Sequence, residues 1–343
     1  MIKVGIVNPY KGRNIPTFKP FFLYRELFKE IGIEFVNPSN TSYDFMFIGM
    51  EDFIYKKLPL SKSIDKGVKN VNKYSESGPV FLFDGSDSTS LMGSIEVLRK
   101  TNSLKLFKNQ LLDFHLYSQH STFNKWFFGS NDEPKLRYNI GKEEQKRIML
   151  SGYNIGTLSP SNLYIDNRSL HRDVDVCGIF QTNHKQNSDH TFRNDHLYTS
   201  HREKVNVELN KLPKKINIEK DRQPFEIFIN ILRRSKCTVS PFGMGEVCFR
   251  DFESIKYGSL LIKPDMGKVK TEPNIYIPYE TYLPCSLDYS DLTEKVRWVM
   301  DNPKKVKEIV QNSQKVMLQE YSPVKFIRYW YNFFLSLEEI NTE

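Results

Sequence analysis

Apolar positions along this chain fall into short compact runs, and the polar stretches between them carry helical spacing. Ile2–Val7 is a β-prone run closed by Asn8-Pro9. From Phe18 to Ile31 the apolar Leu23, Leu27 and Phe28 recur with charges between them, which predicts a helix. Glu34–Val36 and Tyr43–Ile48 predict strands, and Ser61–Tyr74 a polar helix. Pro79–Phe83 is a further strand, ending in the turn residues Asp84-Gly85-Ser86-Asp87. Strands that alternate with helices build a parallel sheet covered on both faces. The stretch 118–168 breaks this rhythm. It is aromatic and polar, with Gly129, Gly141, Gly152 and Gly156 as interruptions, and it predicts the end of a first domain plus a connector, bounded near Asn167.

A second alternation follows. Val174–Phe180 predicts a strand, 198–212 a helix, 215–218 a short strand, and Phe225–Arg234 a helix that Pro224 can open. Strands are expected at 236–240, 259–262 and 274–277, then three helices at 290–300, 303–319 and 322–337. A length of 343 residues suits two domains of about 100–200 residues each. The expected fold class is therefore α/β, with two Rossmann-like domains facing a cleft. The expected units are residues 1–168, 169–321 and a closing helix at 322–343.

The most informative segment runs from Ser240 to Pro264, where a strand, a Gly-rich loop, a helix and a second strand succeed one another. Gly243 and Gly245 permit close approach of the backbone to a ligand, and the helix N-terminus after them favours anions. At about 100° per residue, Glu246, Arg250, Glu253 and Tyr257 fall on one face of the helix. Cys248, Phe252 and Ile255 then turn to the core. A solvated face stapled by salt bridges would show the same pattern. The glycines and the strand context favour a ligand site, because open parallel sheets bind ligands beyond the carboxyl ends of their strands.

Composition narrows the classes. With 39% hydrophobic residues, 25 Phe and 18 Tyr, the chain can bury a core, which excludes general disorder. Alanine is absent altogether, while Asn, Lys, Ile, Phe and Tyr abound; this reads as the codon bias of an AT-rich genome, viral or low-GC bacterial. A formal charge of +8 favours anionic partners. The basic residues are dispersed, however, and the local cluster Lys211, Lys214 and Lys215 is modest, so nucleic acid is not the expected partner. Four cysteines without a Cys-x-x-Cys pair suggest reduced, buried thiols and a cytoplasmic protein. Neither a signal peptide nor a transmembrane run is predicted. His184, His190, His196 and His201 are spaced by 6, 6 and 5 residues, which matches no zinc pattern, so no metal site is expected.

The Ser240–Pro264 segment, with its close Tyr257-Gly258-Ser259-Leu260-Leu261-Ile262, resembles the donor motif of GT-B glycosyltransferases. The tail, with Asp288-Tyr289-Ser290-Asp291-Leu292 and Asp301-Asn302-Pro303 before a Lys-rich helix, is similar to the exostosin-like and CgeB-like branches. The resemblance covers about 173–337 and implies transfer of a sugar from a UDP- or GDP-sugar to a carbohydrate hydroxyl, without metal or other cofactor. It implies that Glu253 holds ribose hydroxyls and Arg250 faces the diphosphate. Gly243, Gly245 and Arg202 would complete the donor pocket, and the last helix would cross back onto the first domain. Six residues lie between Glu246 and Glu253, where the commonest two-glutamate pattern has seven, so the part of Glu246 in the pocket stays open. A base for the acceptor is expected from the first domain. Asp84 and Asp87 follow a strand at the right end, and Asp87 is favoured because the turn engages it less. A basic nucleic-acid-binding protein and an inactive sugar-binding module on the same fold remain as alternatives.

Overall fold

A computed structural model of the chain describes residues 1–7, 14–50, 60–91, 93–119, 139–152, 165–166, 171–182, 195–243 and 245–340. Thirteen strands are found among them: β1 (Ile2–Ile6), β2 (Ile33–Val36), β3 (Phe45–Gly49), β4 (Val80–Asp84), β5 (Lys105–Lys108), β6 (Gln110–Leu112), β7 (Ile148–Leu150), β8 (Val174–Cys177), β9 (Ile218–Glu219), β10 (Ser235–Val239), β11 (Leu260–Pro264), β12 (Val269–Thr271) and β13 (Leu283–Cys285). Six of them form a parallel sheet in the order β2-β1-β3-β4-β5-β7. Five form a second parallel sheet, β13-β11-β10-β8-β9. Read from β9, the second sheet repeats the winding of the first: the second strand lies outside the first, and the later strands add on the other side. Each sheet therefore has a switch point, between β1 and β3 and between β8 and β10, where such folds open a crevice.

The first sheet alternates by face. Phe47, Phe81, Phe83 and Phe107 point to one side, where Trp330, Phe333 and Phe334 of the helix Pro323–Ile340 cover them. The last helix thus packs on the first sheet, as expected. On the other face, the helices Leu60–Ser75 and Ser94–Lys100 complete the sandwich. One hydrophobic core joins this sheet, the last helix and residues from around the second sheet such as Phe252, Tyr282 and Tyr321, while a separate core lies behind β8, β10 and β11. A two-stranded antiparallel ladder of β6 with β12, pairing Gln110 with Thr271, also ties the two halves.

Several expectations are corrected. The helix predicted over 18–31 is two helices, Asn14–Leu23 and Arg25–Glu30, separated at Tyr24, whose φ of −106° and ψ of 17° depart from helical values. The strand predicted at 274–277 does not form. There the Thr281 hydroxyl donates to the carbonyl of Ile275 and accepts from the Ile277 amide, taking backbone groups that a ladder would have used. Strands β5, β6, β7, β12 and β13 and the helix Ser94–Lys100 carry no expectation in the sequence. The predicted boundary near Asn167 lies outside the described residues. All four cysteines are unpaired, and burial pushes the Cys177 thiol up to about 11.

Candidate functional site

The crevice between β8 and β10 gathers the charged side chains that the sequence singled out. The helix that carries them is Phe249–Lys256, with Cys248 as its N-cap. Glu246 therefore precedes the helix and does not share its polar face, which corrects the helical placement given to it. Phe252 and Ile255 are buried as expected.

Arg250 leans toward the end of β8: its Nε donates to the Ile179 carbonyl at 3.1 Å and its Nη1 to Ser240 Oγ at 3.4 Å. Arg202, buried on the helix Asp195–Asn210, donates from Nε to the Phe242 carbonyl at 3.2 Å and from Nη1 to the Gln181 carbonyl. The two guanidinium carbons stand 5.6 Å and 5.9 Å from the centre of the same ring, Phe180. Contact with one aromatic ring offsets part of the cost of bringing two like charges together in a partly dry site. The backbone carbonyls that the arginines grip lie two to four residues beyond the ends of β8 and β10, so the segments leaving the sheet fix the position of the charges. Replacing Phe180 with alanine is expected to weaken binding of an anionic ligand at the two arginines by up to about 30-fold, from a lost cation–π contact of about 1 kcal/mol at each. Titration calorimetry of the variant against wild type measures it.

One helical turn on, Glu253 is partly buried, and its carboxylate accepts no hydrogen bond among the described residues. Burial pushes its carboxyl above the ordinary carboxylate value, opposed by the charge of Arg250. A carboxylate held in this state is an acceptor short of donors, and paired hydroxyls would supply them.

Beneath the crevice lies a network that the sequence reading missed. Asp251 is fully buried and pairs with Lys263 of β11 at 3.0 Å. Its oxygens also accept from Ser240 Oγ at 2.6 Å, the Cys248 amide at 3.0 Å and Tyr276 Oη at 2.7 Å. Lys263 Nζ rests 4.8 Å from the Phe242 ring centre. Asp251 thus caps its own helix N-terminus, and Ser240 links it to Arg250. The one sequence signal for this hub is a lysine inside the apolar strand Leu260–Pro264, which is costly unless paired.

The first domain faces this crevice with the loop after β4. Asp84 and Lys108 are register partners on β4 and β5, and both side chains are fully buried with an ion pair at 3.2 Å. Asp84 further accepts from Ser94 Oγ at 2.7 Å and the Ser86 amide at 3.0 Å. Its carboxylate is committed to the fold. Asp87 is exposed at the tip of the same loop.

The glycine loop meets the other domain. A Cβ built on Gly245 would lie 1.4 Å from the Asp87 carbonyl oxygen, so no side chain fits at that position. At Gly243 a Cβ would sit 3.4 Å from an Arg202 nitrogen, an ordinary contact. Glu246 is fully buried, and Thr89 and Gln110 of the first domain hold its carboxylate. Among the sequence candidates the structure brings Arg202, Arg250, Glu253 and Gly243 together, and places Gly245 and Glu246 at the seam with the Asp87 loop.

His184 and His190 lie outside the described residues, as does the side chain of His196. His201 is buried, stacked on Phe242, with Nε2 3.1 Å from Tyr289 Oη. No cluster of three or more metal-ligating side chains occurs among the described residues, and none of the described helices is long and apolar enough to cross a membrane.

Neither a protein-family profile nor a curated protein sequence matches the chain. Solved structures do. The Anabaena protein Alr3699/HepE in complex with UDP superposes with a TM-score of 0.53 at 10% identity, covering 98% of this chain and 100% of that one. The same protein in complex with UDP and glucose superposes with a TM-score of 0.51 at 11% identity, over the same shares of each chain. Similarity over whole chains at so low an identity is similarity of fold. Together with the two equally wound parallel sheets and the returning last helix, it establishes the GT-B fold for this chain.

Proposed function

We propose that this protein is a glycosyltransferase that moves a sugar from a UDP- or GDP-sugar to a hydroxyl of a carbohydrate acceptor. The observation that carries the reading is the partly buried Glu253 carboxylate, short of hydrogen-bond donors, one turn from Arg250 at the β8–β10 switch point. In this reading Glu253 accepts from the ribose hydroxyls, and Arg250 with Arg202 faces the diphosphate, where negative charge grows as the sugar leaves. The two arginines supply that charge stabilisation without calling on a metal ion. UDP is favoured over GDP by the complex of HepE, which shares the fold. Residues 169–321 form the donor domain, 1–168 the acceptor domain, and 322–343 the closing helix.

Asp87 is the acceptor base. It is exposed at the cleft, whereas Asp84 is held by Lys108, Ser94 and Ser86. A base must reach the proton that it takes, and Asp84 would first have to break a buried ion pair. Four unpaired cysteines suit a reducing compartment, in keeping with action in the cytoplasm.

The test is a melting experiment with a panel of nucleoside diphosphates and nucleotide sugars. One nucleotide is expected to raise the melting temperature, since ligand at about 100 times its Kd stabilises by about 2.7 kcal/mol. The matching nucleotide sugar is expected to hydrolyse slowly without acceptor. If no nucleotide shifts the melt and no donor is hydrolysed, the reading fails. Tight, salt-sensitive DNA binding in the same protein would instead favour a nucleic-acid-binding role.

A further inference from the structure

The donor loop spends a fully buried carboxylate on the opposite domain. Glu246 Oε2 accepts from the Thr89 amide at 3.0 Å and from Gln110 Nε2 at 2.9 Å, and its Oε1 accepts from Thr89 Oγ1 at 3.1 Å. The reverse link exists too: the Val247 amide donates to Gln110 Oε1 at 3.2 Å. Gln110 Nε2 also reaches the Asp87 carbonyl, so one side chain touches Glu246, Val247 and the Asp87 loop. Thr89 and Gln110 are themselves buried. Tyr117 Oη donates to the Thr89 carbonyl at 2.8 Å, and Gln110 opens the β6 strand that pairs with β12. At Gly245 the two backbones touch so closely that any Cβ would overlap the Asp87 carbonyl.

We infer that Glu246, with Gln110 and Thr89, is a positioning clasp that holds the Asp87 loop in register with the donor pocket. The inference rests on the transferase reading of that pocket, but it assigns Glu246 a different task from that of Glu253. Were Glu246 to turn toward a donor, the Thr89 amide, Thr89 Oγ1 and Gln110 Nε2 would lose a buried acceptor, and each such loss costs about 1–3 kcal/mol. Two glutamates of similar appearance in sequence thus divide the work. Glu253 meets the ligand, and Glu246 sets the distance between the domains at the point where base and donor meet. Misplacing a reacting group by about 1 Å costs about 100-fold in rate, so this distance matters to turnover more than to nucleotide affinity.

Three single variants test it: Glu246→Gln, Gln110→Ala and Gly245→Ala. Each is compared with wild type in UDP affinity, in transfer kcat, and in hydrogen–deuterium exchange of 85–91 and 110–112 without ligand. The expected result is UDP affinity unchanged, kcat down by about 100-fold in Gly245→Ala and less in Glu246→Gln, which keeps one acceptor oxygen. Exchange in both segments rises in all three. UDP affinity lost in Glu246→Gln as in Glu253→Gln, with exchange unchanged, would make Glu246 a donor ligand and overturn the clasp. Unchanged kcat in all three variants would overturn it as well. If wild type binds no nucleotide, the transferase reading falls by itself; exchange that rises in the variants then still supports the clasp, and exchange that stays flat removes it. Should Gly245→Ala fail to fold, the two side-chain variants carry the same comparison.

Discussion

Replacement of Trp330 by alanine is expected to destabilise the protein by about 3–5 kcal/mol, the range for truncating a large buried aromatic side chain. Trp330 is fully buried. Its ring centre lies 4.8 Å from that of Phe107, 4.9 Å from Phe21, 5.4 Å from Phe47 and 5.6 Å from Phe83. These phenylalanines come from β3, β4, β5 and the first helix, so the indole is the peg through which the C-terminal helix is held on the first sheet. Its loss opens a cavity that rigid neighbours fill poorly, and it weakens the docking of the one helix that returns from the second domain. Among the described residues the indole N–H has no hydrogen-bond partner. Trp330→Phe is therefore expected to cost much less, because it removes an unsatisfied donor together with the missing volume. Urea denaturation of both variants measures the difference. Equal losses would show that the N–H does find a partner in solution.

Glu253→Gln is expected to move stability and binding in opposite directions. Burial raises the Glu253 carboxyl above its ordinary 4.5, so the folded chain holds that proton more tightly than the unfolded chain does. The stability contributed by this group is full below the unfolded value and is lost as pH rises through the raised folded value. At neutral pH the ionised side chain is a net cost that a neutral glutamine removes. The variant should melt higher than wild type at about pH 7.5, with the gain shrinking as pH falls to about 4. Nucleotide binding should weaken by about 10- to 100-fold, because hydrogen bonds to a charged acceptor are worth about 1.5–3 kcal/mol. Melting curves with and without UDP at the two pH values separate the effects. A variant that melts lower than wild type at neutral pH and binds UDP normally would remove Glu253 from the site.

This opposition is what a binding residue placed in advance of its ligand should show. The buried Asp251 and Asp84 carboxylates differ from Glu253 in that each meets a lysine counter-charge and further hydrogen bonds. Both pairs sit under the loops that carry functional side chains. Lys108 reaches Ser86 Oγ and the Ser86 carbonyl, which secures the loop before Asp87, and Asp251 holds Ser240 beside Arg250.

Local pattern alone decided a good deal here. The strands at 2–6, 33–36, 45–49 and 80–84 were readable because compact β-branched and aromatic runs separated by polar helical stretches have few other solutions. The two-domain α/β class followed from that rhythm. The placement of Arg250 and Glu253 at the crevice was readable because a Gly-rich loop between a strand and a helix sets the residues of the first two helical turns beside it. The short strands β6, β7, β12 and β13 were not readable. Three residues hold too little periodicity, and their pairing is settled by what lies across from them.

Which of the two glutamates is held by the first domain was decided by tertiary structure alone. In the sequence Glu246 and Glu253 are alike: acidic, near glycines, at the head of one helix. Which of them meets a ligand depends on where the first domain comes to rest, and Thr89 and Gln110 stand 157 and 136 residues away from Glu246 along the chain. Gly245 was likewise read as making room for a ligand, whereas the room is taken by the Asp87 carbonyl. Chain-local physics specified the elements and the chemical groups offered at their ends. Contacts between distant segments, which no local periodicity encodes, decided which of those groups are spent on holding the fold and which remain for a substrate.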